Sequence, residues 1–267
     1  MTATLSFEVR ELIPYINWVY FYHAWGVKEE QAAELKEEAQ KKLARWCMED
    51  GKKATFRVRL FGANSVDEDI LLYEYLSDDG GYSYTTLYTL PLLRQQREPY
   101  LCLADFVAPL GFPRSTIGVF ASTANFPTDG LLEQTLADRL AEAAAELGHE
   151  ITRKEIWGYA SNENLTPQQL FAEHYQGKRP AVGYPSLPDQ SLNFLLGEIL
   201  DFKSMGITLT ENGAMIPHAS TSGLMFSHPQ CRHINIGTIG KDQLNYYAKR
   251  RGMEAEVLKK YLDVSSI

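Results

Sequence analysis

Residues 177–190 read GKRPAVGYPSLPDQ. Three prolines and two glycines in this stretch exclude a helix. Each proline ring removes a donor and biases the residue before it towards extended backbone. The segment is therefore expected to run extended, with Pro180 and Pro185 keeping its N–H and C=O groups turned outward. Gly183 stands between Val182 and Tyr184, where close backbone approach is sterically open. Arg179 carries a planar fork suited to a carboxylate, and Tyr184 a ring face. On these residues alone the segment is either a clamp for a flat, mixed polar ligand or an ordered surface loop.

Working outward, Thr166-Pro167 has the pattern of an N-cap with proline at the first helical position. Residues 128–151, TDGLLEQTLADRLAEAAAELGHEI, predict a helix capped by Thr128 or Asp129. A second helix is expected over 27–50, with Glu37–Lys41 and Glu38–Lys42 pairs along its surface. In TFRVRLFG (55–62), Phe56, Val58 and Leu60 alternate with Arg57 and Arg59, which predicts a half-buried strand. Residues 69–90 predict a hairpin turning at Asp79-Gly80, and 116–123 a buried strand. Beyond the opening stretch come a helix near 191–205, strands near 207–216, 222–226 and 232–239, and a charged helix over 241–262. These elements lack a βαβ rhythm, so the class is α+β, and no linker or repeat divides the chain: one domain, 1–267, is expected.

The 267 residues are 45% hydrophobic, enough for a substantial core. A net charge of −8 argues against a nucleic-acid binder, which needs a basic face for phosphates. Cys47, Cys102 and Cys231 are widely spaced, giving neither a disulfide framework nor a thiolate zinc site. The N-terminus lacks the apolar core of a signal peptide, and no run nears the roughly 18 apolar residues of a membrane span. A cytoplasmic protein without a membrane segment is expected.

Catalytic motifs are absent: there is no nucleophile elbow, P-loop or strand-linked GxGxxG. His228 and His233 flank Cys231 in SHPQCRH, which a surface turn explains as well as a metal does, and no metal is expected. The acidic run Asp67, Glu68, Asp69 reads as a solvated cap. Glu142 lies in the alanine-rich RLAEAAAEL, where small neighbours admit other backbone, although an exposed helical glutamate accounts for it equally. Lys249, Arg250, Arg251, Lys259 and Lys260 form the densest basic stretch, either a recruiting patch for an acidic partner or a helix end.

RPAVGYPSLPD resembles the signature of the activation domain of cobalamin-dependent methionine synthase. The resemblance continues in order through YINWVYFYHAW (15–25), FGANSVDEDILLY (61–73), LRQQ (93–96), CLADFVAP (102–109), LADRLAEAAAE (136–146) and WGYASNENL (157–165). It then takes in LTENGAMIPHASTSG (209–223), FSHP (226–229) and DQLNYYAKRRGM (242–253). It implies a single C-shaped domain with a twisted antiparallel sheet flanked by helices. It also implies binding of S-adenosylmethionine and docking over a partner's cobalamin once that has become cob(II)alamin. A flavodoxin-like reductase then gives one electron, and S-adenosylmethionine gives the methyl group that restores methylcobalamin. The domain's task in this scheme is positioning, with no acid–base residue of its own.

Carried over position by position, the resemblance puts the ligand's methionine carboxylate on Arg179, main-chain contacts on Ala181 and Gly183, and Tyr184 beside ligand and corrin. It assigns the helical glutamate to Glu142. Where the family has an aspartate for the ligand's amino group, this chain has Asn17. A tyrosine pair becomes His233 and Ile234, and a corrin-side histidine becomes Gln190. The chain starts at Met1 with only this module, which implies a stand-alone subunit acting in trans on a cobalamin-binding domain or subunit. The departures leave a second reading open: an adaptor that docks on a corrinoid protein or passes electrons without binding S-adenosylmethionine.

Overall fold

A computed structural model describes residues 1–28, 32–76 and 81–262. Its strands are β1 (Thr2–Glu8), β2 (Lys53–Val66), β3 (Asp69–Leu76), β4 (Gly81–Pro91), β5 (Ser115–Ala124), β6 (Thr208–Leu209), β7 (Met215–Ile216) and β8 (Ser220–Phe226). The main sheet runs β4-β3-β2-β5-β8 and every pairing is antiparallel. β2 is long enough to take two neighbours along one edge, β1 on Lys53–Arg59 and β3 on Phe61–Val66, while β5 lies along the other. Antiparallel neighbours confirm the α+β class. β1 itself carries no signal strong enough to have been expected.

The pleat sends alternate residues to opposite cores. Phe56, Val58, Leu60, Phe120 and Met225 meet one side, covered by α1 (Val9–Leu12), α2 (Trp18–Ala24), α3 (Ala33–Trp46) and α4 (Leu131–Ile151). Phe61, Ala63, Ile117, Val119, Leu224 and Phe226 meet the other, under α6 (Leu192–Leu200), α7 (Lys241–Arg251) and α8 (Ala255–Leu258). Arg57 and Arg59 also face this second side. They donate to the Leu200 carbonyl at 2.7 Å and the Ile199 carbonyl at 3.4 Å, placing cations at the negative end of α6.

The alanine-rich part of α4 lies directly on the sheet. Ala141, Ala143, Ala144, Ala145 and Gly148 are buried, and Ser122 Oγ donates to the Ala141 carbonyl at 2.8 Å. A Cβ at Gly148 would stand 2.4 Å from the Phe56 ring, so only glycine permits this approach. Because the helix is pressed so close, its next polar face looks sideways into the site rather than away from the protein.

Several expectations need correction. α4 is capped by Gly130 rather than Thr128 or Asp129. Lys42 pairs with Glu133 at 2.6 Å rather than with Glu38, whereas Glu37–Lys41 forms as expected. Residues 29–31 and the Asp79-Gly80 turn fall outside the described residues. The 207–216 stretch is a short hairpin, β6–β7, turned at Gly213 with φ +75°. Residues 232–239 form no strand: Ile234 and Ile236 are buried with strand-like spacing, but their N–H groups donate to Ser186 Oγ and the Pro185 carbonyl in a loop. The last helix breaks at left-handed Gly252 into α7 and α8. Of the basic stretch, two cations are tied down, while Lys249 and Lys260 are exposed. Arg250 is bound by Asp69 and the Leu92 carbonyl, and Arg251 by Asp189 and Ser191. The acidic run is likewise tied down, through Arg250–Asp69 and Arg94–Glu68.

Candidate functional site

The proline-rich stretch is seated along the outer edge of β8. Lys178 and Phe226 exchange backbone bonds of 3.0 and 2.9 Å, Leu224 N–H donates to the Pro180 carbonyl at 3.0 Å, and Val182 N–H to Ser222 at 2.9 Å. Pro180, with no N–H, sits where only its carbonyl is asked for. A Cβ at Gly223 would lie 2.2 Å from that carbonyl, so β8 must have glycine there for the segment to close in. The segment thus continues the sheet without being a regular strand. The Ala181 N–H takes no part in these bonds, while Gly183 turns at φ +88° and donates to the Leu187 carbonyl at 2.8 Å.

Between this segment and the sideways face of α4 opens a cleft of about 510 Å³. Asn17, Glu142, Arg179, Ala181, Tyr184 and His233 all line it. Four separate regions of sequence therefore meet in one cavity. Gly183 and Gln190 do not line it; they border an adjoining cleft that shares Arg139, Glu142 and Tyr184. Asn17 caps α2, its Oδ1 accepting from Val19 N–H at 3.1 Å. Tyr184 is exposed at the rim between the clefts, and the neighbouring Glu142 carboxylate raises its hydroxyl above the ordinary tyrosine value.

Arg179 is largely enclosed, with its side chain 11% exposed, and its Nη2 donates to Glu146 Oε2 at 3.3 Å. The pair is half made: Arg179 Nε and Glu146 Oε1 are both buried without a partner among the described residues. Burial pulls the guanidinium down, but Glu146 and Glu142 more than offset it, so Arg179 stays charged. Burial likewise pushes the Glu146 carboxyl above its usual range, against Arg179 and Arg153. One turn on, His149 is wholly buried, with neither ring nitrogen partnered among the described residues, edge-on to Tyr175. Burial, with Arg153 and Arg179 nearby, holds it well below the ordinary histidine value and therefore neutral.

At the far wall His233 Nε2 meets Glu173 Oε1 at 3.0 Å, and Lys178 meets Glu173 Oε2 at 3.2 Å. The His233 hydrogen bond, opposed by burial, holds the Glu173 carboxyl down to about 2. His228, Cys231 and His233 do not converge, since His228 packs on Phe106 and His233 turns to Glu173. Among the described residues no group of histidine, cysteine or carboxylate side chains could hold a metal.

Sequence reading missed Tyr15, Tyr20, Arg139, Glu146, Glu173 and Tyr175, all of which line the cleft. Glu146 was within reach of sequence, because it lies one helical turn from Glu142 and so on the same face. Nothing local marks Tyr175 or Glu173, which tertiary packing brings in.

A family model described as the activation domain of vitamin B12 dependent methionine synthase matches residues 8–252. The chain is also similar to a solved structure described as the MetH reactivation domain bound to AdoHcy. Identity is 34%, the TM-score is 0.91, and the match covers 100% of this chain and 90% of that one.

Proposed function

The chain belongs to the activation-domain family of vitamin B12 dependent methionine synthase, and we propose that its cleft binds S-adenosylmethionine and holds the methyl group towards a partner's cobalamin. The observation that carries this is the largely enclosed, half-made Arg179–Glu146 pair at a cleft edged by tyrosines. An amino-acid head joined to a flat base suits such a cavity: the head meets fixed charges and the base meets rings and main-chain groups. The similar reactivation domain was solved with AdoHcy, the same molecule without its sulfonium methyl.

When bound, S-adenosylmethionine supplies an electrophilic methyl group. The rest is positioning. Arg179 takes the carboxylate, the Ala181 N–H offers a main-chain donor, and Tyr184 lies over the ligand at the rim. Glu142, Asn17 and His233 complete the wall. Gly183 and Gln190 face the adjoining cleft, on the side assigned to the corrin. No residue is asked to move a proton, and the gain lies in converting a chance encounter into an oriented one.

The partner is a cobalamin-binding domain or subunit, met in trans by residues 1–267 acting as one cytoplasmic module, with a flavodoxin-like reductase as electron source. No helix among the described residues is long and apolar enough to cross a membrane. The second reading, a docking or electron-transfer adaptor, is favoured by one observation: His233 is already engaged by Glu173. Calorimetric titration with S-adenosylmethionine, with and without a cobalamin-bearing domain, separates them. Saturable heat in the chain alone is expected. No heat in either arm sinks the binding reading and leaves the adaptor.

A further inference from the structure

The cleft contains more acid than Arg179 needs, and its carboxylates differ in what they have left to offer. Glu173 has one oxygen on His233 and the other on Lys178. Glu142 makes no hydrogen bond among the described residues and lies towards Tyr184 at the rim shared by both clefts. Glu146 alone is bonded to Arg179, and its second oxygen is buried without a partner. Asn17 is an amide whose oxygen already accepts from Val19 N–H.

From this arrangement we propose that Glu146 is the residue that reads the ligand's α-ammonium group. The inference rests on the S-adenosylmethionine reading. An α-amino acid carries its carboxylate and ammonium on the same carbon, so the two complementary protein charges must be neighbours. Arg179 Nε offers a free donor and Glu146 Oε1 a free acceptor within one ion-paired couple. The long 3.3 Å contact leaves the pair under-satisfied, and a zwitterion inserted against it satisfies both orphan atoms at once. Glu146 is thus a specificity-determining residue: it selects amino-acid-bearing ligands over those with the carboxylate alone.

The test titrates the whole chain with three probes: S-adenosylhomocysteine, its desamino analogue that keeps the carboxylate, and 5′-methylthioadenosine, which lacks the amino-acid tail. The wild-type chain should prefer S-adenosylhomocysteine over the desamino analogue by about tenfold, the difference between a charged and a neutral hydrogen bond. Glu146→Gln should erase that preference while both other probes bind within about twofold of wild type. If Glu146→Gln weakens both carboxylate ligands alike, Glu146 only holds Arg179 and the proposal falls. If wild type binds the probes with no amine preference, this proposal alone fails; if it binds none, the S-adenosylmethionine reading fails with it. Should the glutamine variant not fold, Glu146→Asp, which withdraws the carboxylate by one methylene, should lose part of the preference. Full retention of the preference there overturns the assignment.

Discussion

Arg153, buried on the continuation of α4, and Arg179, largely enclosed beside α4, are finished differently. Arg153 Nε and Nη2 reach Glu163 at 2.5–3.2 Å, and the guanidinium lies 4.0 Å from the Tyr175 ring centroid, leaving only Nη1 unpartnered. Arg179 has one side-chain hydrogen bond among the described residues, of 3.3 Å, with its guanidinium 5.2 Å from the Phe120 ring centroid, and an acid with one oxygen unpartnered. The first pair is closed and has little hydrogen-bonding capacity left for a ligand. The second lines the cleft with one donor and one acceptor unpartnered among the described residues.

The largest effect should come from breaking the closed pair. Glu163→Ala leaves Arg153 charged and unpaired in the interior, a change that costs about 3–5 kcal/mol. Denaturant unfolding should show that loss, and a change below about 1 kcal/mol would mean that the pair is not the closed one described. Next in size is the open pair. Arg179→Ala should cost about 1.5–3 kcal/mol of S-adenosylmethionine affinity, the worth of a hydrogen bond to a charged group. Unchanged affinity in a folded variant would remove Arg179 from the site.

His149 sharpens the contrast through pH, since it lies between the two arginines on the same helix face. Its native value is lowered by burial, so below the ordinary 6.5 the unfolded chain binds a proton that the native chain refuses. Stability is thus fully present above about pH 6.5 and is lost as pH falls, by at most about 1.4 kcal/mol per pH unit. Melting curves between pH 7 and 5 should show this slope, and His149→Phe should flatten it; an unaltered slope would assign it elsewhere. The smallest effect is expected at Asn17. Asn17→Asp adds a carboxylate to the cleft and should tighten S-adenosylmethionine by up to about tenfold. Calorimetry showing no change would mean that residue 17 serves chiefly as the α2 cap.

The elements legible in sequence were those with one dominant local signal. Alternation along 55–62 appears in the structure, the helix expected over 128–151 appears as Leu131–Ile151, and Thr166 caps a helix that has Pro167 at its start. Readings failed where a local signal had two physical outcomes. The spacing of Ile234 and Ile236 marks burial, which a loop satisfies as well as a strand does. The cations at 250 and 251 look solvated until Asp69 and Asp189, far off in sequence, reach them.

For the site, sequence alone determined the extended course of 178–182, because proline chemistry is local, and the chain's family, because many short blocks recur in order. The rest of the stretch does not run extended as expected but turns, with Gly183 N–H on the Leu187 carbonyl and Leu187 N–H on the Tyr184 carbonyl. It also supplied Arg179 and Glu142 as candidates. Only the tertiary structure decided that Arg179 is paired with Glu146, that His233 is spent on Glu173, and that Gly183 and Gln190 border a different cleft. These facts depend on which atoms remain unsatisfied after packing. That remainder is a property of contacts between residues as far as 60 positions apart, such as Glu173 and His233, and no local pattern encodes it.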